Sequence, residues 1–252
     1  MTVHFVGAGP GAADLITVRA ERLLSECSVC LYAGSLVPAE LLAQCPPTAT
    51  LIDTADLDLN QITEAIAAAD ADGRDVVRLC SGDPAVFSAV AEQARRLDRI
   101  GIDYDITPGV PAFAAAAAAL RRELTVPEVG QTVVLTRIAQ QASAMPPGEE
   151  LAALGATRTT LVLHLAVQRI DQVVADLEPN YGLDCPVAVV AYASQPGETI
   201  LRGTLGDIAA QVHAAGIRRT AVIIVGNVLA AEGFRDSHLY STTRERSSSS
   251  GV

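Results

Sequence analysis

The sequence predicts an α/β fold with two α/β domains, the first with a mostly parallel sheet and the second with a mixed sheet. In the first half, short apolar runs alternate with helical patterns, which is typical of parallel strands covered on both faces. A charged and proline-punctuated stretch, residues 121–127, separates the halves. In the second half, the extended segment Glu198–Leu205 lies beside another strand, which indicates a more mixed sheet.

The first half contains five predicted strands and four helices, and an alanine-rich helix over Ala112–Leu120 follows them. Thr17 can cap the first helix and Asn60 the third. The strands are Val3–Val6, Ser28–Tyr32, Thr50–Ile52, Val76–Leu79 and Tyr104–Thr107. The helices between them are Val18–Ser25, Ala39–Gln44, Ile62–Ala71 and Val86–Arg99.

The second half contains five predicted strands and two helices. The strands are Thr132–Thr136, Thr160–Leu165, Val187–Tyr192, Thr199–Gly203 and Ala221–Val225, and the helices are Arg169–Leu177 and Asp207–Ala215. We therefore place an N-terminal domain at residues 1–122 and a C-terminal domain at residues 128–234. The serine-rich residues 235–252 are predicted to form a disordered tail.

Composition and charge exclude several functions. The 252 residues carry a net charge of −11 and a sequence pI of about 4.7, whereas a nucleic-acid binder normally presents a basic face. No apolar run approaches the ~20 residues that span a bilayer, and the first residues lack a signal-type pattern. We expect a soluble cytoplasmic protein with no nucleic-acid or membrane partner.

The five cysteines are odd in number and scattered, so a disulfide framework is not expected. Cys27 and Cys30 form a lone C-x-x-C pair that leads into a predicted strand rather than opening a helix, where the dipole would activate a thiol. We interpret them as buried cysteines. Because no second pair is present to complete four ligands, we expect no metal site.

A glycine-rich turn, Val6–Gly11, follows the first strand and resembles a dinucleotide-binding loop only in part. The dinucleotide fingerprint needs G-x-G-x-x-G at the mouth of a helix, but Gly11 comes one residue early and Pro10 has no N–H. The second strand also ends without the acidic residue that would bind a ribose. A ligand other than a dinucleotide is therefore expected.

Two further loops follow predicted strands, namely Ser81–Pro84 and Pro108–Pro111. Open α/β sheets bind ligands beyond the carboxyl ends of their strands, so three such loops could form one cleft. Gly-Asp-Pro is also a common way to start a turn. The functional alternative is that Asp83 holds a cationic or hydroxyl-bearing ligand while nearby backbone groups recognise an adenine.

The ordered set of motifs resembles the tetrapyrrole (corrin and sirohaem) methyltransferase family over about residues 1–234. The motifs are Val6–Gly11 with Asp14–Thr17, Tyr32–Val37, Arg78–Pro84, Pro108–Val110, Arg122–Thr125 with Gln131–Val133, Leu135–Arg137 and Ala221–Gly226. Within the family, Tyr32–Val37 and Arg122–Val133 are most similar to members that methylate carbon 11 of precorrin-4 in cobalamin synthesis.

The resemblance implies a homodimeric two-domain methylase that binds S-adenosylmethionine in a cleft between the domains and releases S-adenosylhomocysteine. The donor-binding positions that it implies in the first domain are Pro10, Ser81, Gly82, Asp83, Val86, Pro111 and Ala112. In the second domain they are Leu165, Ala166, Ala193 and Ala221. Relatives often carry Met-Gly at Leu165–Ala166, glycine at Ala193, and Ser or Thr at Pro111.

The implied acceptor is precorrin-4, a polycarboxylate, so local cations must offset the acidic chain. Arg122 and Arg137, with Arg121, are candidates because guanidinium groups bind carboxylates bidentately. Glu123 could orient the substrate, and no catalytic base is identified. His164 is interpreted as a packing residue. The alternatives are methylation of cobalt-precorrin-4 or of another precorrin position, a nucleotide-dependent oxidoreductase, and a tetrapyrrole carrier.

Overall fold

The chain forms two compact units in its computed structural model, which describes residues 2–139 and 144–237. Among the described residues, the first unit comprises those up to Ala116 together with Tyr192–Glu198, and the second comprises those of Ala117–Ala191 and those from Thr199 onwards. Tyr192–Glu198, hereafter the 192–198 segment, thus belongs to the first unit although it connects two strands of the second. The tail predicted from residue 235 lies outside the described residues from residue 238 onwards.

The first unit is built on a five-stranded sheet in which every pairing is parallel, as the alternation of strands and helices predicts. The strand order is β3-β2-β4-β1-β5. The strands are β1 Val3–Gly7, β2 Val29–Tyr32, β3 Thr50–Asp53, β4 Val76–Cys80 and β5 Tyr104–Thr107. The helices are α1 Val18–Glu26, α2 Ala39–Leu42, α3 Leu59–Ala71, α4 Val90–Ile100 and α5 Ala112–Leu120, the last of which runs across the limit between the units.

Both faces of this sheet are covered. Phe5 packs on one face with Ile66 of α3 and Leu97 of α4, and all three side chains are buried. Leu79 packs on the other face with Leu24 of α1, also buried. Because alternate residues of a strand point to opposite faces, a strand buried on both sides is expected to be apolar throughout, and β1 follows this pattern except at the half-buried His4.

Two helix starts differ from the prediction. The capping residue of α3 is Asp58 rather than Asn60: its carboxylate accepts the backbone N–H groups of Asn60 and Gln61, and the Gln61 side chain accepts the Asp58 N–H. α4 begins at Val90 rather than Val86 because Phe87 and Ala89 have φ of 52° and 55°, which a right-handed helix cannot contain. The Thr17 cap of α1 is confirmed.

The second unit contains a mixed five-stranded sheet in the order β6-β7-β10-β8-β9. Only β6 and β7 pair in parallel, and the remaining pairs are antiparallel. The sheet is therefore mixed, as the extended segment Glu198–Leu205 predicts. The strands are β6 Val133–Arg137, β7 Thr160–His164, β8 Pro186–Ala191, β9 Thr199–Thr204 and β10 Ala221–Val225. The helices are α6 Leu151–Gly155, which the sequence analysis missed, α7 Ile170–Tyr181 and α8 Ile208–Ala214.

The core of the second unit lies between one face of this sheet and helices α7 and α8. Leu161, Leu163 and Ile223 of the strands pack with Leu177 of α7. At the end of α7, the Tyr181 hydroxyl donates to the Thr159 carbonyl at 2.5 Å, and burial raises the pKa of this hydroxyl to about 12. The bond connects the end of α7 to the start of β7.

All five cysteines are buried and free, in line with the interpretation of the C-x-x-C pair. No group of three or more metal-ligating side chains is found among residues 2–139 and 144–237. Across the same residues, no helix is both long and apolar enough to cross a membrane.

Candidate functional site

The three glycine and proline loops lie together at one edge of the first sheet. β1 lies between β4 and β5, and all three strands run in the same direction, so their carboxyl ends share this edge. Gly9 and Gly82 form a backbone bridge that joins the first two loops, with N–H to O distances of 3.2 and 2.8 Å. We call this region the loop cluster; its first, second and third loops are residues 7–12, 81–84 and 108–112.

Close backbone packing explains why glycines occupy this cluster. A Cβ at Gly7 would lie 2.5 Å from the Cα of Gly109, and a Cβ at Gly109 would overlap the carbonyl oxygen of Gly82. Any side chain at Gly7 or Gly109 would push the loops apart. The three strand ends are therefore held in main-chain contact.

The Asp83 carboxylate fixes the second loop to the third. One oxygen accepts the N–H of Ala85 at 2.7 Å, and the other accepts the N–H of Gly109 at 2.8 Å. Asp83 remains partly exposed. Since each carboxylate oxygen has two acceptor sites, the group can still accept a hydrogen bond from a ligand.

Several residues expected to bind the donor face one another in this cluster. The Cβ position at Gly82 is 3.6 Å from the Pro111 Cα and from the Ala112 nitrogen, which is ordinary contact distance. Ser81 is exposed. The N–H of Val86 already donates to the Asp83 carbonyl, so this group supports the turn.

A buried cation lies behind the second loop. Arg78 in β4 is 7% exposed, and its Nε donates to Gln93 Oε1 while its Nη1 donates to the Leu79 carbonyl. Gln93 in turn donates to the carbonyl of Ala89, the left-handed residue before α4. Burial lowers the pKa of Arg78. This chain of hydrogen bonds shapes the segment between the second loop and α4.

The first loop lacks the features of a phosphate-binding loop. α1 begins only at Val18, seven residues after Gly11, and a three-residue 3-10 helix, Ala13–Leu15, lies between them, so no α-helix opens directly at this loop. The N–H of Gly9 donates to Gly82, and the N–H of Ala12 donates to the Ser194 hydroxyl. Dinucleotide binding needs backbone N–H groups aimed at the pyrophosphate from such a terminus.

The second unit brings four of its predicted residues to one edge of its sheet. β6, β7 and β8 run in one direction and β10 runs against them, so the start of β10 lies beside their carboxyl ends. Arg137 ends β6 opposite His164, Leu165 and Ala166 follow β7, and Ala221 begins β10. The Arg137 guanidinium donates to the neighbouring Ile138 carbonyl.

The two residues after β7 differ sharply in environment. Leu165 is 57% exposed and has a φ of 53°, an uncommon backbone conformation that is concentrated at functional sites. Ala166 is fully buried.

Ala193, the remaining predicted contact to the methyl donor, is 6% exposed and lies in the 192–198 segment of the first unit.

The structure does not bring Arg122 and Glu123 to the edge that holds Arg137. Arg122 donates to the Ala231 carbonyl, and the nearby Leu124 carbonyl accepts the hydroxyl of Thr160, the first residue of β7. The strand from Thr160 to His164 is about 13 Å long. Arg122 therefore lies near the opposite end of β7. The Glu123 carboxylate accepts the Thr125 hydroxyl.

His164 lies at the same edge as Arg137, and burial lowers the pKa of its imidazole. The neutral form is therefore favoured, which agrees with a packing role for a side chain at the end of an apolar strand. An imidazolium here would add a second cation beside Arg137.

Sequence reasoning missed the 192–198 segment as part of the first unit. Ser194 and Gln195 bond to the first loop, although more than 180 residues separate them from it. The signal that could have identified them is their position directly after β8, because loops at the carboxyl ends of strands are the usual ligand sites. The hydrogen bonds of Arg78 were also missed, because a single charged residue in an apolar strand does not indicate which groups it contacts.

The fold corresponds to a known class of methyltransferases. A cobalamin biosynthetic enzyme, a cobalt precorrin-4 methyltransferase, superposes with a TM-score of 0.88 at 38% identity, covering 90% of this chain and 95% of that one. The uroporphyrin-III C-methyl transferase of Thermus thermophilus, complexed with S-adenosylhomocysteine, gives a TM-score of 0.78 at 28% identity and covers 91% and 99%. The predicted fold class is confirmed.

The sequence comparison assigns the family. The model of the Tetrapyrrole (Corrin/Porphyrin) Methylases matches residues 2–209, and the chain belongs to this family. Precorrin-4 C(11)-methyltransferase of Mycobacterium tuberculosis is 65% identical over 97% of this chain and 98% of the relative. The cobalt-precorrin-4 C(11)-methyltransferase of Methanocaldococcus jannaschii is 44% identical over 94% and 92%.

Proposed function

We propose that this protein transfers a methyl group from S-adenosylmethionine to carbon 11 of precorrin-4 in cobalamin biosynthesis, giving precorrin-5 and S-adenosylhomocysteine. The observation that carries the proposal is the high identity, over almost the full chain, to relatives named for that reaction. The relative named for the cobalt-loaded substrate is less similar, which supports the metal-free acceptor. We further propose that the protein is a homodimer and acts in the cytoplasm.

The loop cluster suits a cationic nucleoside better than an anionic dinucleotide. It combines closely packed glycine backbone with the carboxylate of Asp83. A sulfonium or ammonium group is attracted to that carboxylate, more strongly where water is excluded. We propose that Ser81, Gly82, Asp83, Pro111 and Ala112 bind S-adenosylmethionine, with Pro10 and Val86 shaping the pocket. We propose that Leu165, Ala166, Ala193 and Ala221 complete the donor site.

The chemistry places modest demands on the protein. When bound, S-adenosylmethionine supplies an electrophilic methyl group whose departure leaves a neutral thioether, so no general acid is needed. The task of the chain is to hold donor and acceptor in line, and such positioning can lower the barrier by about 7–11 kcal/mol. A rigid cluster, held by the Gly7–Gly109 contact and the Asp83 bonds, is suited to that role.

Arg137 is the leading candidate to bind a carboxylate of the acceptor. It lies at the sheet edge shared with Leu165, Ala166 and Ala221, and it is partly buried. A guanidinium binds a carboxylate through a planar fork of N–H donors, which suits the acidic side chains of the acceptor. Arg122 and Glu123, near the other end of β7, are proposed as secondary contacts to a different part of the macrocycle.

Two measurements test this function. In calorimetry, the protein is expected to bind S-adenosylhomocysteine and not NAD; the reverse result would favour an oxidoreductase. Enzymatically prepared precorrin-4 and its cobalt complex are then offered separately with S-adenosylmethionine. Faster methylation of the metal-free compound supports the proposal. Tetrapyrrole binding without turnover of either compound would identify a carrier instead.

A further inference from the structure

The first loop is held by a segment that lies far away in the sequence. The Gln195 side-chain amide donates to the Pro10 carbonyl at 2.9 Å, and the Ser194 hydroxyl accepts the Ala12 N–H at 3.0 Å. Pro10 and Gly11 are both buried in this arrangement. These two bonds fix the peptide groups on either side of Gly11.

Gly11 is what allows Gln195 to reach the loop. A Cβ at Gly11 would overlap the Gln195 Cγ and lie 2.5 Å from its Cδ and Nε2. Gly11 also has a φ of 147°, a conformation that side chains disfavour. The Gln195 stem therefore packs on the Cα of Gly11 and its amide passes over to Pro10.

The 192–198 segment is itself prepared for this contact. Tyr192 and Ser194 have φ of 52° and 64°, and the Ser194 N–H donates to the Glu198 carboxylate at 2.8 Å. The Gln195 N–H donates to the Tyr192 carbonyl. Strained residues persist when surrounding bonds fix them, and they are concentrated at functional sites. The side chains of Ser194 and Gln195 are thus fixed before any ligand arrives.

We propose that Gln195, supported by Ser194, is a positioning residue for the methyl-donor site. It holds the first loop in the conformation that binds S-adenosylmethionine, so that binding this ligand does not have to order the loop. The inference rests on the proposed function, because the ligand of the loop cluster is the donor. Gln195 occupies one of the two acceptor sites of the Pro10 carbonyl, which is the only hydrogen-bonding group of this residue, and so fixes the direction of that carbonyl.

The central test compares Gln195→Met with the unmodified protein. Methionine keeps the length of the side chain that packs over Gly11 and removes the amide N–H that donates to the Pro10 carbonyl. We expect the Kd for S-adenosylhomocysteine and the KM for S-adenosylmethionine to rise about fivefold, which matches about 1 kcal/mol for one hydrogen bond. We expect kcat at saturating donor to stay within twofold. Gln172→Met on the exposed face of α7 is the matched control, with no change expected.

A double-mutant cycle isolates the contact. Gly11→Ala displaces the Gln195 side chain, so adding Gln195→Met to it should change the Kd less than twofold. The inference is overturned if Gln195→Met also raises the Kd fivefold in the Gly11→Ala protein. It is likewise overturned if the Gln195→Met protein melts at a lower temperature but binds S-adenosylhomocysteine normally. If the unmodified protein binds no S-adenosylhomocysteine, the proposed function itself fails, which is a separate outcome.

Discussion

Asp83 offers the sharpest test of how the loop cluster works, because its carboxylate serves the structure and, by our proposal, the donor. Asp83→Ala removes two hydrogen bonds, to the N–H groups of Ala85 and Gly109. For a partly exposed carboxylate each bond contributes about 1 kcal/mol, so the unfolding free energy should fall by about 2 kcal/mol. In a chain of this size that lowers Tm by about 4–8 °C. The fold should survive, since the change is confined to a loop.

The same substitution should weaken the binding of S-adenosylhomocysteine at least fivefold, measured by calorimetry well below the melting temperature. Asp75→Ala is a matched control: its carboxylate also accepts a backbone N–H, that of Thr2, but at the amino end of β4. Asp75→Ala should lower the unfolding free energy by about half as much as Asp83→Ala and should leave the affinity for S-adenosylhomocysteine unchanged. If Asp83→Ala melts as predicted but its affinity stays within twofold of the unmodified protein, Asp83 only holds the loops and our donor site is wrong.

The remaining predictions concern the second unit. Arg137→Ala should lower kcat/KM for the tetrapyrrole at least tenfold while changing the donor Kd less than twofold; equal losses in both, measured by turnover and calorimetry, would refute a carboxylate role. Arg122→Ala, near the other end of β7, should reduce turnover less than Arg137→Ala does. Tyr181→Phe leaves the Thr159 carbonyl without its partner and should cost about 1–2 kcal/mol in urea unfolding, and a loss below 0.3 kcal/mol would contradict the bond. Burial lowers the pKa of His164, so its neutral form contributes stability that is present above the usual value of 6.5 and lost as the pH falls below it. His164→Gln should therefore flatten the decline in Tm between pH 7 and pH 5, and an unchanged slope would show that His164 does not cause it.

Much of the fold could be predicted because its signals are local. The nearly continuous apolar runs of β1 and β4, which are interrupted by His4 and Arg78, indicate strands buried on both faces, and the structure confirms their parallel pairing. The start of α4 could not be predicted, because the left-handed backbone of Phe87 and Ala89 depends on surrounding packing rather than on residue type. The cap of α3 was misplaced by two residues because Asp58 and Asn60 are both good capping residues.

The candidate site was only partly predictable for a related reason. The three loops of the first unit follow from the rule that ligands bind beyond strand ends, and they do lie together. The bond between Gln195 and Pro10 joins residues 185 positions apart, and no local pattern encodes it. The separation of Arg122 from Arg137 depends likewise on which end of β7 each segment meets. The predicted domain limits and site residues stay predictions.

The central claim is that this chain methylates carbon 11 of precorrin-4, and the position of the new methyl group tests it most directly. Precorrin-4 is incubated with the protein and S-adenosylmethionine labelled with ¹³C in its methyl group, and the product is analysed by carbon NMR. The account predicts one labelled methyl group per macrocycle, attached to a quaternary carbon at position 11. A label at any other ring carbon, or an unlabelled macrocycle with intact donor, would contradict it.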